Sequence, residues 1–328
     1  MKWFEADTIW DSLYKITTKE DFVEKFVVET KFHSKVPKDI VDAFETVSYL
    51  LANSYYHYNL LDVALSKMLL IIEMAVKLKA KELNITLKLP PNKQGKTIDK
   101  KLFKLIDEVC KEAKLEFLIP DFDRARNLRN SFMHPEGYSV MGIFSATKKN
   151  FVHFNNVINQ LFLNSDEISL LVSNRAILKE KFEAFKENFS SKLFILNDSN
   201  QKALINDIHD HKYFAFDQKK LLFLLVNPLL LDVYDRLTNH KFGAPYLLIL
   251  KEFDFSNSKI TGVDLDNNQI EIYETENPLD LEQLKVYLNE MELISVSDKQ
   301  LFNAHRSSEV LWKIDKTVYD CLWEYEIK

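Results

Sequence analysis

The sequence predicts a mainly α fold, with a helical bundle in the N-terminal half and a smaller α+β domain after it. Three observations lead there. Apolar residues recur at spacings of three and four over residues 39–52 and 58–83, the pattern of helices with one buried face. Glycine occurs only 5 times in 328 residues, well under the usual share of about 7%, which argues against a turn-dense all-β fold and against glycine-rich phosphate loops. After about Asn164 the long helical pattern gives way to short strand-like runs. A chain of this length suits two domains. The boundaries read from it are an N-terminal extension over 1–37, the bundle over 38–164 and the α+β domain over 165–328.

In the bundle, Ile40, Val41, Phe44, Val47, Leu50 and Leu51 mark the first helix. A longer one runs from about Tyr58 to Leu83, with Leu61, Leu65, Met68, Ile72 and Val76 inward and no glycine or proline to interrupt it. Pro90 to Lys96 reads as a loop. Thr97 is placed to cap a helix that turns Ile98, Leu102, Leu105, Ile106 and Val109 inward. Pro120 and Asp121 open another helix, stopped by Pro135 and Gly137, and one more is expected from Asn150 to Phe162. Short connections between such helices make a bundle.

Beyond it, residues 166–190 still look helical. Strand-like runs follow at Lys192–Leu196, Tyr213–Phe216, Tyr246–Phe253, Lys259–Leu265 and Gln269–Tyr273, the last two joined by Asp266-Asn267-Asn268 in the manner of a hairpin. Helices are expected at Leu279–Met291 and Ser308–Glu324. The apolar stretch Leu221–Leu231 is broken by Asn227-Pro228 and is far short of the ~20 residues that span a bilayer.

The net charge of −6 offers no bulk positive field for gathering nucleic acid, so any such binding must come from a local basic site. Cys110 and Cys321 are too far apart in sequence to suggest a metal site and read as small buried hydrophobes. No signal sequence precedes the first helix. These features point to a soluble, cytoplasmic protein without a cofactor or metal.

The run Arg126-Asn127-Leu128-Arg129-Asn130-Ser131-Phe132-Met133-His134 carries the chemistry. On a helix Asn130 and His134 share a face, with Arg129 about 100° round from Asn130. A histidine can move protons near neutral pH. An arginine grips a phosphate and stabilises charge built in the transition state, and an asparagine can orient either. Such a set suits metal-free RNA cleavage, in which the 2′-hydroxyl attacks its own phosphate.

Arg129-Asn130-Ser131-Phe132-Met133-His134 resembles the motif of the HEPN family: Arg, a polar residue, three variable residues, His. The surrounding order is similar as well, since a long helix containing Glu73 precedes a looped excursion, another helix and then the motif. The resemblance covers roughly residues 38–163. It implies a HEPN-like bundle that dimerises, bringing two motifs across a two-fold axis into one composite cleft that cuts RNA. Members are commonly endoribonucleases of toxin–antitoxin, abortive-infection or other antiviral defence systems, so an antitoxin or a phage-derived trigger is implied as a partner. Carried over, Arg129 would hold the scissile phosphate, Asn130 would position, and His134 would act as acid and base. Glu73 would support an arginine, either Arg126 or Arg129, or serve a purely structural role. Some family toxins carry a modifiable tyrosine two residues after the histidine; here that position is Glu136, so silencing by that route is not expected.

Other features are set lower. His209-Asp210-His211 resembles a metal pair without a third ligand and reads as an exposed loop. Asp264 to Asn268 reads as a turn rather than a calcium loop. Tyr55-Tyr56-His57-Tyr58 could stack bases but is better read as core or interface. The principal expectation is a homodimeric, metal-independent ribonuclease whose second domain senses a trigger or holds the activity in check. The alternative is a nonenzymatic HEPN-like module that senses a protein or a nucleotide.

Overall fold

Where the apolar period of three and four is unbroken, the chain forms helix α4, Leu60–Glu82, with Leu61, Leu65, Met68, Ile72, Ala75 and Val76 buried. The structure is a computed structural model that describes residues 4–91, 95–133, 144–188, 193–198, 202–229, 246–256 and 258–323. It divides into two compact units, Met1–Ile168 with Asp315–Lys328, and Ser169–Ile314. The segment from Asp315 onward and the residues before 38 both belong to the first unit.

The first unit is helical. Besides α4, it contains α1 (Thr8–Tyr14), α2 (Lys19–Phe26), α3 (Lys38–Asn53), α5 (Leu102–Glu112), α6 (Ile119–Met133) and α7 (Phe144–Leu161). The N-terminal segment, expected only as an extension, supplies part of the core. Trp10 is fully buried, its ring 4.6 Å from Phe22 and 5.3 Å from Tyr58, and its indole N–H donates to the Ser54 carbonyl at 3.1 Å. Asp7 caps α1 through Ile9 N and accepts from Tyr58 N at 3.0 Å. Tyr55 and Tyr58 are therefore core residues. The helix expected from Thr97 begins later, at Leu102, and Ile98 is exposed rather than inward.

Three helix C-termini, those of α1, α4 and α5, end in the left-handed conformation without glycine. Lys15, Asn84 and Lys114 take φ of 56°, 58° and 57°. The Ile85 and Leu115 amides reach back to the Ala80 and Cys110 carbonyls at 2.8 and 2.7 Å, closing the two later helix ends.

The second unit overturns the expected fold class. In place of a smaller α+β domain appended to a mainly α chain, six strands lying between residues 194 and 274 form a closed antiparallel barrel, with every strand bonded to its sequence neighbours and β6 bonded back to β1. The strands are β1 (Phe194–Asp198), β2 (Lys202–Phe216), β3 (Lys219–Pro228), β4 (Tyr246–Phe255), β5 (Lys259–Asp264) and β6 (Gln269–Glu274). Glycine scarcity gave the wrong lead because two other residues do glycine's work. Asp217 in the tight β2–β3 turn and Asn267 in the β5–β6 turn take φ of 55° and 68°, and short polar side chains tolerate that region best. Asp264 ties the second turn, accepting from Asp266 N and Asn268 N at 2.9 and 2.8 Å.

Strand β3 carries no alternating signal because Leu221 to Leu224 are buried on both faces. His209-Asp210-His211, expected in a loop, lies within β2. One glycine is demanded by space: a Cβ on Gly262 would stand 2.6 Å from the Glu252 carbonyl oxygen and 2.9 Å from Leu250, where β4 and β5 shift register. Helix α8 (Ser165–Glu187) packs on the barrel. Phe182 meets His211 and Phe255, Phe185 stacks on Phe194, and the Arg175 side chain donates to the Tyr213 carbonyl at 3.0 Å. Two further helices, α9 (Pro278–Glu292) and α10 (Val296–Cys321), follow the strands.

Candidate functional site

Helix α6 has a narrow buried face, formed by Phe122 and Ala125. Most of its other positions are polar, with Asn127 and Asn130 exposed and Arg126 and Arg129 half-buried. Pro120 is accommodated in the first turn, where a missing N–H removes no helical bond.

Near the end of α6, Arg129 turns to α4. Its Nη2 lies 3.1 Å from Glu73 Oε2, and the other oxygen of that carboxylate accepts from Lys77 Nζ at 2.6 Å. Of the two arginines weighed for Glu73, the partner is Arg129. The contact is an ion pair rather than an aligned hydrogen bond: Glu73 Oε2 and Arg129 Nε are both buried and, among the described residues, neither has a hydrogen-bond partner.

Arg126 is not part of this pairing. Its Nε sits 3.1 Å from Asp123 Oδ1 on the same helix, and it faces a groove shared with Phe103, Lys104, Asp107 and Glu108 of α5. Asn130 is exposed beside Arg129. His134 lies outside the described residues, as does the stretch to 143. The structure thus brings Glu73, Lys77 and Arg129 together and separates Arg126 from them.

A second polar centre was not anticipated. Along the second half of α7, Asn150, His153, Asn155, Asn156, Asn159 and Gln160 alternate with the buried Phe151, Phe154, Val157, Ile158 and Leu161. His153 stands between two carboxylates, with Nε2 3.0 Å from Asp121 Oδ1 of α6 and Nδ1 3.0 Å from Asp315 Oδ2 of α10. Burial alone would lower the pKa of His153, but its hydrogen bonds to both carboxylates outweigh it and raise the value to about 9. Asn156 donates to the Asp315 carbonyl at 2.8 Å and accepts from the Trp323 indole at 2.7 Å. Asn159 donates to the Lys31 carbonyl and accepts from His33 N, at 2.9 and 3.0 Å. The sequence signal was present: a run of amides and one histidine at helical spacing among apolar residues means buried polar groups that need partners.

His33 behaves in the opposite sense. Burial lowers its pKa; its Nε2 reaches the Asn159 carbonyl at 2.8 Å, and its Nδ1 accepts from Lys35 N at 3.3 Å. That arrangement fixes a neutral tautomer with a structural role. Burial pushes the Cys110 thiol up to about 12, so it is no nucleophile. Among the described residues no group of His, Cys, Asp and Glu could hold a metal ion, and no helix is long and apolar enough to cross a membrane.

Comparison with family models, with curated proteins and with solved structures gives no match to this chain. The functional reading therefore rests on residues and geometry.

Proposed function

We propose that the first unit is a HEPN-type endoribonuclease, acting in the cytoplasm as a homodimer in toxin or anti-phage defence. Arg129 and Asn130 sit at the end of α6, and His134 follows in sequence. The observation that carries this reading is the Glu73–Arg129 pair, in which a half-buried guanidinium is oriented by a carboxylate that Lys77 also holds. Orientation of this kind prepares an arginine to meet the charge that gathers on a phosphate in the transition state. In the reaction, His134 takes the proton of the 2′-hydroxyl, whose oxygen attacks the adjacent phosphorus. The P–O5′ bond breaks and the leaving oxygen takes up a proton. The products are a 2′,3′-cyclic phosphate and a 5′-hydroxyl, and the three side chains need no metal for this step.

The test is induction of wild type, Arg129→Ala and His134→Ala in cells, with growth and total RNA followed together. Growth arrest with fragmented RNA for wild type, and neither for the two variants, is the expected result. Fragmentation that persists in His134→Ala removes this reading. One observation favours a second reading, a nonenzymatic sensor of a protein or nucleotide: the net charge of −6 disfavours a polyanionic substrate. In that case the variants change complex formation and no condition yields cleavage.

A further inference from the structure

The arrangement around His153 does more than satisfy a buried polar group. Both ring nitrogens lie 3.0 Å from carboxylate oxygens. Ionised carboxylates only accept hydrogen bonds, so both nitrogens must donate and the ring must be the imidazolium. The two carboxylates come from different elements. Asp121 lies in the first turn of α6, the helix that ends in Arg129 and Asn130. Asp315 lies in α10, where that helix enters the first unit. The bridging residue sits on a third helix, α7.

We propose that Asp121–His153–Asp315 is an ionic latch that fastens the C-terminal segment of the chain to the motif helix α6, closed only while His153 carries its second proton. The other charged groups described on these helices near the latch are engaged elsewhere. Arg124 of α6 is bonded to Asn150 and lies over the Phe154 ring. Lys148 of α7 ends on the Lys25 carbonyl, and Lys316 of α10 is paired with Asp320. Among the described residues, Asp121 and Asp315 are the carboxylates bonded to the imidazole.

Loss of the proton leaves one nitrogen a lone pair facing an anion, and that contact turns from bond to repulsion. The segment does not fall away altogether, because uncharged contacts remain. Tyr319 OH donates to the Glu29 carbonyl at 2.7 Å, and the Trp323 indole donates to Asn156. Opening is therefore local. The latch does not depend on RNA cleavage and stands or falls separately from it.

The experiment combines NMR titration of His153 in the full chain with hydrogen exchange over residues 309–321, comparing wild type, His153→Gln and Asp315→Asn. In wild type, His153 is expected to titrate well above its ordinary 6.5. Exchange over 309–321, corrected for intrinsic rates, is expected to rise about tenfold as pH passes that value. His153→Gln should exchange fast at every pH, and Asp315→Asn, which keeps the packing, should lower the His153 midpoint. A His153 midpoint at or below 6.5, or exchange in 309–321 that is the same in all three proteins and flat with pH, overturns the latch.

Discussion

Glu73 divides its two oxygens between Arg129 and Lys77, so its removal should act through Arg129 rather than on folding. Glu73→Gln keeps the shape and deletes the charge. It is expected to lower RNA cleavage about tenfold or more while the melting temperature changes little, as measured by single-turnover kinetics beside a thermal scan. Arg129→Lys should not rescue Arg129→Ala, because an ammonium lacks the planar fork that meets a phosphate. The two buried histidines give opposite pH dependences. His33 has a folded-state pKa below 6.5, so the unfolded chain binds the extra proton and stability falls as pH drops through that range. His153 is raised to about 9, so its contribution is fully present below 6.5 and is lost as pH rises through about 9. Denaturant melts of His33→Gln should lack the acid-side loss, and those of His153→Gln the alkaline one. Glu73 stood out in the sequence as an acid inside the apolar stretch Met68–Met74; for His153 the surrounding amides signalled a buried polar centre but not its partners, which lie 32 positions before and 162 after it in the chain.

At the scale of elements, period and breakers made α3 and α4 readable, and Asp266-Asn267-Asn268 made the β5–β6 hairpin readable. Strand β3 was hidden because burial on both faces erases the alternation that marks a half-buried strand. The first strand-like stretch of β2 was likewise missed, as its polar residues Asn206, Asp207 and His209 to His211 imitate a loop. The same poverty in glycine that argued against a turn-dense all-β fold leaves a correctable cost. Lys114 ends α5 in the left-handed region, a conformation costing a non-glycine residue about 1–2 kcal/mol. Lys114→Gly is expected to stabilise the protein by about 1 kcal/mol in denaturant unfolding. Conversely, Gly262→Val forces a side chain against the Glu252 carbonyl and Leu250, and it should destabilise the barrel by at least the 1–3 kcal/mol typical of overpacking.

Taken whole, the chain leaves its first unit after Ile168 and returns to it at Asp315. No local pattern announces such a return; the signal is the polar ladder of α7, whose partners include the carboxylate of Asp315 and the Trp323 indole. Truncation after Ile314 is expected to destabilise the first unit by several kcal/mol, since it strips Asn156 and His153 of buried partners at once, and circular dichroism melts of the shortened chain would register it. The central claim concerns what the first unit does, and the most direct measurement incubates purified full-length protein with a single-stranded RNA and the matching DNA, then analyses the ends. The account predicts that wild type cuts the RNA to leave 2′,3′-cyclic phosphate and 5′-hydroxyl ends, spares the DNA, and loses the activity in Arg129→Ala and His134→Ala. Cleavage of the DNA as well, or equal cleavage of the RNA by both variants, would contradict it.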